Sequence, residues 1–137
     1  MLAVGDKYEC DLTITPEQER LFMELTGDTN PVHTSGEEAQ KATGGVFAPI
    51  AHGMLVASMI GKVMGMDFPG NRTINMERSF TFIRPLFVNE HYTMHFKVSE
   101  IDHDACTGTI KFSIKDQNKK ICLTGSTLVK NIEKFGD

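Results

Sequence analysis

The feature that most constrains the fold of this 137-residue chain is an apolar segment at residues 46–66. From His52 to Met66 the pattern predicts a helix that is apolar nearly all round, with Lys62 as its one charged side chain. Pro49, His52, Lys62 and several glycines interrupt the segment, whereas a membrane span requires about 20 apolar residues without charge. We therefore predict a helix buried inside a domain, and no association with a membrane.

The second half of the chain has the period-two alternation of strands that could cover such a helix. Strands are predicted at residues 73–83, 91–100, 106–115 and 121–129. Antiparallel strands with one apolar and one polar face must pack that apolar face on another element. The sequence therefore predicts an α+β protein, a single domain over residues 1–137, in which an antiparallel sheet wraps around the buried helix. This arrangement is the hot-dog fold.

Two further helices, marked by capping signals, and a short strand are predicted before the apolar segment. A strand is predicted at residues 8–14. The first helix begins after Thr15, whose side chain can form a capping box with Gln18, and it ends at Gly27. A second, short helix is predicted between Ser35 and Gly44. The apolar face of the first helix is predicted to comprise Leu21, Phe22 and Leu25.

Composition excludes several classes of partner. The net charge of −4 and the absence of a basic stripe argue against binding to nucleic acid. The three cysteines, Cys10, Cys106 and Cys122, are odd in number and widely spaced, which argues against a zinc site or a redox motif. Cys106 and Cys122 fall in strand-like segments, and we interpret the cysteines as buried thiols of a protein in the reducing cytoplasm. No signal peptide is recognisable at the N-terminus.

The segment GDTNPVH at residues 27–33 carries the first candidate functional groups. Asp28, Asn30 and His33 place a carboxylate, an amide and an imidazole within six residues, directly after a helix stop. One interpretation is structural, because Asp and Asn are common turn formers and His33 could be a surface residue. The other is a bent loop that brings Asp28 and His33 together over one water as a general acid–base pair.

The segment IAHGML at residues 50–55 carries the second set, at the start of the apolar helix. Backbone N–H groups at a helix start lack partners within the helix and carry partial positive charge. The Gly53 N–H could therefore stabilise negative charge on a thioester oxygen. The alternative for His52 and Gly53 is a helix start with close packing. His91, His95 and His103 are assigned surface or structural roles, and no metal site is predicted.

Taken together, these two segments and FTFIRPLFV at residues 80–88 resemble the MaoC-like dehydratases, the family of (R)-specific enoyl-CoA hydratases, over about residues 4–130. The resemblance implies a hot-dog fold, a homodimer and reversible hydration of a trans-2-enoyl-CoA. It implies that Asp28 and His33 hold the water, that Asn30 helps to orient them, and that Gly53 donates its N–H to the thioester carbonyl. It also implies an acyl-CoA or acyl-carrier-protein thioester as substrate, and no separate cofactor.

Two other functions stay open at this point. A thioesterase of the same fold would need a carboxylate on or near the buried helix, and residues 53–66 contain none. A non-catalytic acyl-CoA-binding protein would not need Asp28 or His33. The bases that could contact a CoA nucleotide are not distinguished by the sequence and comprise Lys62, Arg72, Arg78 and Arg84.

Overall fold

A computed structural model describes all 137 residues of the chain. Its elements are β1 (Lys7–Leu12), α1 (Pro16–Thr26), α2 (Gly36–Thr43), α3 (Gly53–Met66), β2 (Ile74–Phe82), β3 (Tyr92–Asp102), β4 (Thr107–Lys115), β5 (Ile121–Lys130) and α4 (Ile132–Phe135). A short 3-10 turn, Pro31–His33, lies between α1 and α2. The predicted strands and the first three predicted helices are therefore confirmed to within about two residues at each end, which is the usual uncertainty of such boundaries. The short helix α4 was not predicted.

The strands form one antiparallel sheet in the order β1-β3-β4-β5-β2. Alternate side chains of β3 and β4 are buried on the face of the sheet that turns towards α3. Together with α3 they form a single apolar cluster, which includes Val56, Ile60, Met64, Phe96, Phe112 and Leu123. This arrangement confirms the hot-dog fold, because the sheet and the helix each bury the apolar surface of the other.

One face of α3 is exposed, which the near-continuous apolar pattern did not predict. Met54, Ser58, Lys62 and Met66 are exposed and lie four residues apart. Residues four apart share a face of a helix, so the exposed positions form a stripe along α3. The sheet covers the opposite side of the helix only. None of the helices has the length and apolar character that crossing a bilayer would require.

Helix α1 begins as predicted, but its inward face is different. Thr15 and Gln18 make both hydrogen bonds of the capping box, at 3.1 and 3.0 Å. Leu21 and Leu25 are exposed, so their assignment to the apolar face was wrong. The residue that α1 buries instead is Glu19, with 4 % of its surface exposed. This acidic residue can be buried because α1 packs on the start of α3, where a polar residue forms hydrogen bonds with it.

The cysteines are less uniformly buried than predicted. Cys122 is buried in β5, and burial raises the pKa of its thiol. Cys10 in β1 is half-buried. Cys106 is half-buried and lies in the turn before β4 with a φ of 57°, so the strand assignment was wrong there. The three thiols are free.

Candidate active site

The site loop, residues 27–33, joins α1 to the 3-10 turn. Gly27 ends α1 in the left-handed region with a φ of 77°, a conformation that glycine adopts without strain. The Asp28 carboxylate accepts the N–H of Asn30 at 3.2 Å. The Asn30 side chain accepts the N–H of Val32 at 3.2 Å and caps the turn. The side chain of Asn30 thus shapes the backbone of the loop. That side chain forms no hydrogen bond with the Asp28 or His33 side chain.

His33 is oriented by a backbone carbonyl. Its Nδ1 lies 2.7 Å from the Ile50 carbonyl oxygen, which can only accept a hydrogen bond, so Nδ1 carries a proton. A neutral His33 ring therefore presents an unprotonated Nε2 to the Asp28 Oδ2, which lies 4.0 Å away. That separation is too long for a direct hydrogen bond and leaves room for one bridging water. The Asp28 side chain is 48 % exposed, so water can reach this position.

The structure adds His52 to this group. The His52 ring stacks on the His33 ring with 3.6 Å between their centroids. Its Nε2 donates to the Asp28 carbonyl oxygen at 3.0 Å and lies 3.7 Å from the Asp28 Oδ2. The sequence pointed to His52 as the residue before the helix but gave it no role. It lies beneath both predicted catalytic side chains and is 1 % exposed.

Glu19 is a residue of this group that the sequence analysis missed. One of its carboxylate oxygens accepts the His52 backbone N–H at 2.8 Å, and the other pairs with the His52 Nδ1. The available signal was its spacing, because Glu19 precedes the half-buried Phe22 by three residues and therefore shares a helix face with it. Phe22 also packs on the His52 ring, with 5.1 Å between the ring centroids.

Gly53 begins α3 beside a cavity of about 340 Å³. Its backbone N–H donates to no group of the chain, as expected for the first residue of a helix. His33 and Gly53 both line the cavity, and the Phe82 ring lies against Gly53. A Cβ at position 53 would lie 3.0 Å from the Phe82 Cζ. A glycine at this position therefore leaves the N–H accessible next to an aromatic wall.

The remaining wall of the cavity contains Arg84, the only one of the four candidate CoA-binding bases that lines it. The Arg84 guanidinium also donates to the Ile121 carbonyl oxygen at 2.5 Å. Lys62 pairs with Asp67, and Arg72 with Glu133. Arg78 lies beside α3, where burial lowers its pKa.

Three side chains here could in principle bind a metal, since ligand atoms of Asp28, His33 and His52 lie within 4.8 Å of one another. A metal bound by imidazole lies in the plane of the ring, along the nitrogen lone pair. The lone pairs of two stacked rings run side by side and do not converge. The His52 Nε2 is also occupied by the Asp28 carbonyl. The arrangement suits hydrogen bonding to water better than coordination of a metal.

Comparison with known proteins decides the family. Residues 3–120 match the family model described as the MaoC-like domain. The chain belongs to the MaoC-like family. The resemblance drawn from these sequence segments is thereby confirmed.

Relatives of this MaoC-like chain are hydratases and dehydratases. It is 31 % identical over 94 % of its length to an (R)-specific enoyl-CoA hydratase of Aeromonas caviae, covering 95 % of that protein. It is 29 % identical over 80 % of its length to a 3-hydroxybutyryl-CoA dehydratase of Methylorubrum extorquens, covering 68 % of that protein. The solved structure of an (R)-hydratase from A. caviae superposes with a TM-score of 0.84 at 29 % identity, covering 94 % of this chain and 96 % of that one. The chain is therefore related to hydro-lyases of acyl thioesters.

Proposed function

We propose that the protein catalyses the reversible hydration of a trans-2-enoyl-CoA to the (R)-3-hydroxyacyl-CoA. The observation that carries this proposal is the 4.0 Å separation between the Asp28 Oδ2 and the His33 Nε2, together with a cavity that His33 lines with Gly53, whose N–H is free. The (R) configuration is proposed from the name of the A. caviae relative.

In the proposed reaction, one water lies between the Asp28 carboxylate and the His33 Nε2. As the water oxygen bonds to C3 of the enoyl group, Asp28 accepts a proton from the water, and His33 serves as the carrier of that proton. The same proton is then delivered to C2, so the pair returns to its starting state and the net change is addition of one water. Groups of this kind each contribute about 10²–10⁴-fold to the rate.

Gly53 would act at the other end of the reacting system. Negative charge develops on the thioester oxygen while C2 is unprotonated, and a backbone N–H at the start of a 14-residue helix is suited to stabilise it. A donor of this kind contributes roughly 10²–10³-fold. Asn30 would contribute indirectly, because its side chain fixes the turn that holds His33.

The proposed reaction needs no separate cofactor or metal, because CoA or an acyl carrier protein is part of the thioester substrate. Arg84 is our candidate for contact with the phosphorylated part of that carrier, since it lines the same cavity as Gly53. A thioesterase mechanism is less well supported, because α3 carries no carboxylate and the carboxylate buried at its start, Glu19, has both oxygens occupied by His52. The free cysteines support our proposal of a cytoplasmic location.

We further propose that the protein acts as a homodimer. Strand β2 is an edge of the sheet, and the apolar side chains Ile74, Met76 and Phe82 are exposed on it or at its end. Unpaired strand edges with apolar side chains are suited to pairing with a second copy. Sedimentation of the purified protein at the mass of a monomer would contradict this proposal.

The function is tested with crotonyl-CoA, followed by loss of the enoyl absorbance, and with a free-thiol assay on the same samples. We expect loss of the enoyl group without release of thiol, and a product of (R) configuration on chiral analysis. Asp28→Asn and His33→Gln should each lower kcat by about 10²–10⁴-fold. Thiol release would instead indicate a thioesterase, and binding without turnover a non-catalytic acyl-CoA-binding protein.

The matched control is a second Asp–His pair on the surface of the sheet. Asp11 and His91 lie 3.4 Å apart, are both exposed, and do not line the cavity beside Gly53. Asp11→Asn and His91→Gln should therefore leave kcat unchanged. Wild-type hydration rates in both Asp28→Asn and His33→Gln would refute the assignment of the site.

A further inference from the structure

Glu19 is a buried carboxylate for which the proposed reaction gives no role. Acidic side chains are rarely this buried unless they are paired. Both oxygens of Glu19 are occupied by a single residue, His52, one by its backbone N–H at 2.8 Å and the other by its ring Nδ1. Glu19 lies 33 residues from His52 in the sequence, so this pairing is a product of the fold.

The hydrogen-bond partners of His52 determine where its protons lie. Its Nε2 faces the Asp28 carbonyl oxygen at 3.0 Å, and a carbonyl can only accept, so Nε2 carries a proton. Between Nδ1 and the Glu19 carboxylate there is one more proton, whichever of the two atoms holds it. In either case the pair is neutral overall, and His52 presents an N–H to the site loop.

That N–H is what ties Asp28 to the rest of the fold. Residues 27–30 are exposed, and their other hydrogen bonds join groups no more than four residues apart. The bond from the His52 Nε2 to Asp28 is the one that reaches a distant element. A neutral His52 protonated on Nδ1 alone would turn a lone pair towards the Asp28 carbonyl and lose this bond.

We propose that Glu19 is a positioning residue that holds His52 as an Nε2–H donor and thereby fixes Asp28 over its water. Glu19 does not contact the substrate. It acts through His52, whose ring also packs at 3.6 Å on His33. The inference rests on the proposed function for its catalytic consequence, whereas the proton on the His52 Nε2 can be tested without activity.

Two substitutions at Glu19 separate position from charge. Glu19→Ala removes both contacts to His52, and we expect kcat for crotonyl-CoA to fall about 10²-fold with little change in KM, because a small misplacement of a catalytic group has this effect. Glu19→Gln should restore most of that loss. Its amide oxygen can accept the His52 backbone N–H, and its NH₂ can donate to Nδ1, which enforces a proton on Nε2.

Glu24→Ala is the matched control, because Glu24 is an exposed glutamate of the same helix that pairs with Arg20. It should retain the wild-type kcat. A wild-type kcat in Glu19→Ala, or a kcat in Glu19→Gln as low as in Glu19→Ala, would overturn the proposal. Circular dichroism of each variant verifies that the comparison is made on folded protein.

Nitrogen NMR of ¹⁵N-histidine-labelled protein provides the readout that is independent of turnover. We expect the His52 Nε2 to be protonated in the wild type and in Glu19→Gln, and this signal to be lost or averaged in Glu19→Ala. An unprotonated Nε2 in the wild type overturns the role of Glu19. Absence of hydratase activity in a wild type whose Nε2 is protonated contradicts the proposed function and leaves the Glu19 pairing intact.

Discussion

The proposal that Asp28 and His33 hold one water makes a quantitative prediction for the double variant Asp28→Asn/His33→Gln. If each group acts on its own, the two losses multiply. Single losses of about 10²–10⁴-fold would then combine to about 10⁴–10⁸-fold. If both groups hold one water, as the separation of 4.0 Å allows, removal of either group is enough to displace that water. The double variant should then lose little more than the worse of the two single variants.

In free-energy terms, each single variant loses about 2.7–5.4 kcal/mol of transition-state stabilisation, at 1.36 kcal/mol for each factor of ten. The coupling energy should be of similar size to the smaller single loss. Asp28→Asn should change the free energy of unfolding by about 0.5 kcal/mol, since Asp28 is half-exposed and an amide oxygen can still accept the Asn30 N–H. Urea unfolding of each variant verifies that the kinetic losses are not losses of folded protein.

The assay is the steady-state hydration of crotonyl-CoA by the wild type, the two single variants and the double variant under one set of conditions. A double variant whose loss equals the product of the single losses would refute the shared-water geometry. The two groups would then act at separate points, and the proposed single proton transfer from water to C2 would be wrong.

Three other substitutions test the packing at Gly53 and within the sheet. Gly53→Ala places a methyl group 3.0 Å from the Phe82 ring and should lower kcat/KM by about 10²-fold, measured with crotonyl-CoA, while the melting temperature changes little. Gly125→Ala places a Cβ 2.1 Å from the Ser79 carbonyl oxygen and should destabilise the fold by about 3 kcal/mol in urea. Burial raises the pKa of Tyr92, so the stability contributed by its neutral phenol should be lost as pH rises above about 10. Thermal unfolding at pH 9 and 11 should show that loss in the wild type and less of it in Tyr92→Phe.

The secondary structure could be predicted because its signals are local. The capping box of Thr15 and Gln18 and the stop at Gly27 involve residues a few positions apart, and each is present in the structure. The alternation in β3 and β4 directly reflects which side chains face α3. The inward face of α1 could not be predicted in the same way. Apolar residues fall on more than one side of that helix, and the fold buries the side that meets the start of α3.

The site was predictable in part for the same reason. Asp28 and His33 lie in one short loop, so their approach follows from the turn at Gly27 and from the motif. The role of Asn30 in capping the turn requires knowledge of the backbone. The proposed contribution of Glu19 depends on its contact with His52 across 33 residues, and the spacing to Phe22 indicates the helix face of Glu19 without identifying that partner.

The geometry of the site depends most on residues 50–53, which join three separate elements. The Ile50 N–H donates to the Val32 carbonyl oxygen, and the Ile50 carbonyl oxygen accepts from the His33 ring. Ile50 therefore holds the end of the site loop by two hydrogen bonds. The Ala51 N–H donates to Leu86, which secures the same segment to the sheet side of the cavity. Catalytic groups held by packed elements are positioned more accurately than groups on free loops. Asp28 lies on the least supported part of the loop, so the accuracy of its position depends on the hydrogen bond from His52 and hence on the buried carboxylate behind it.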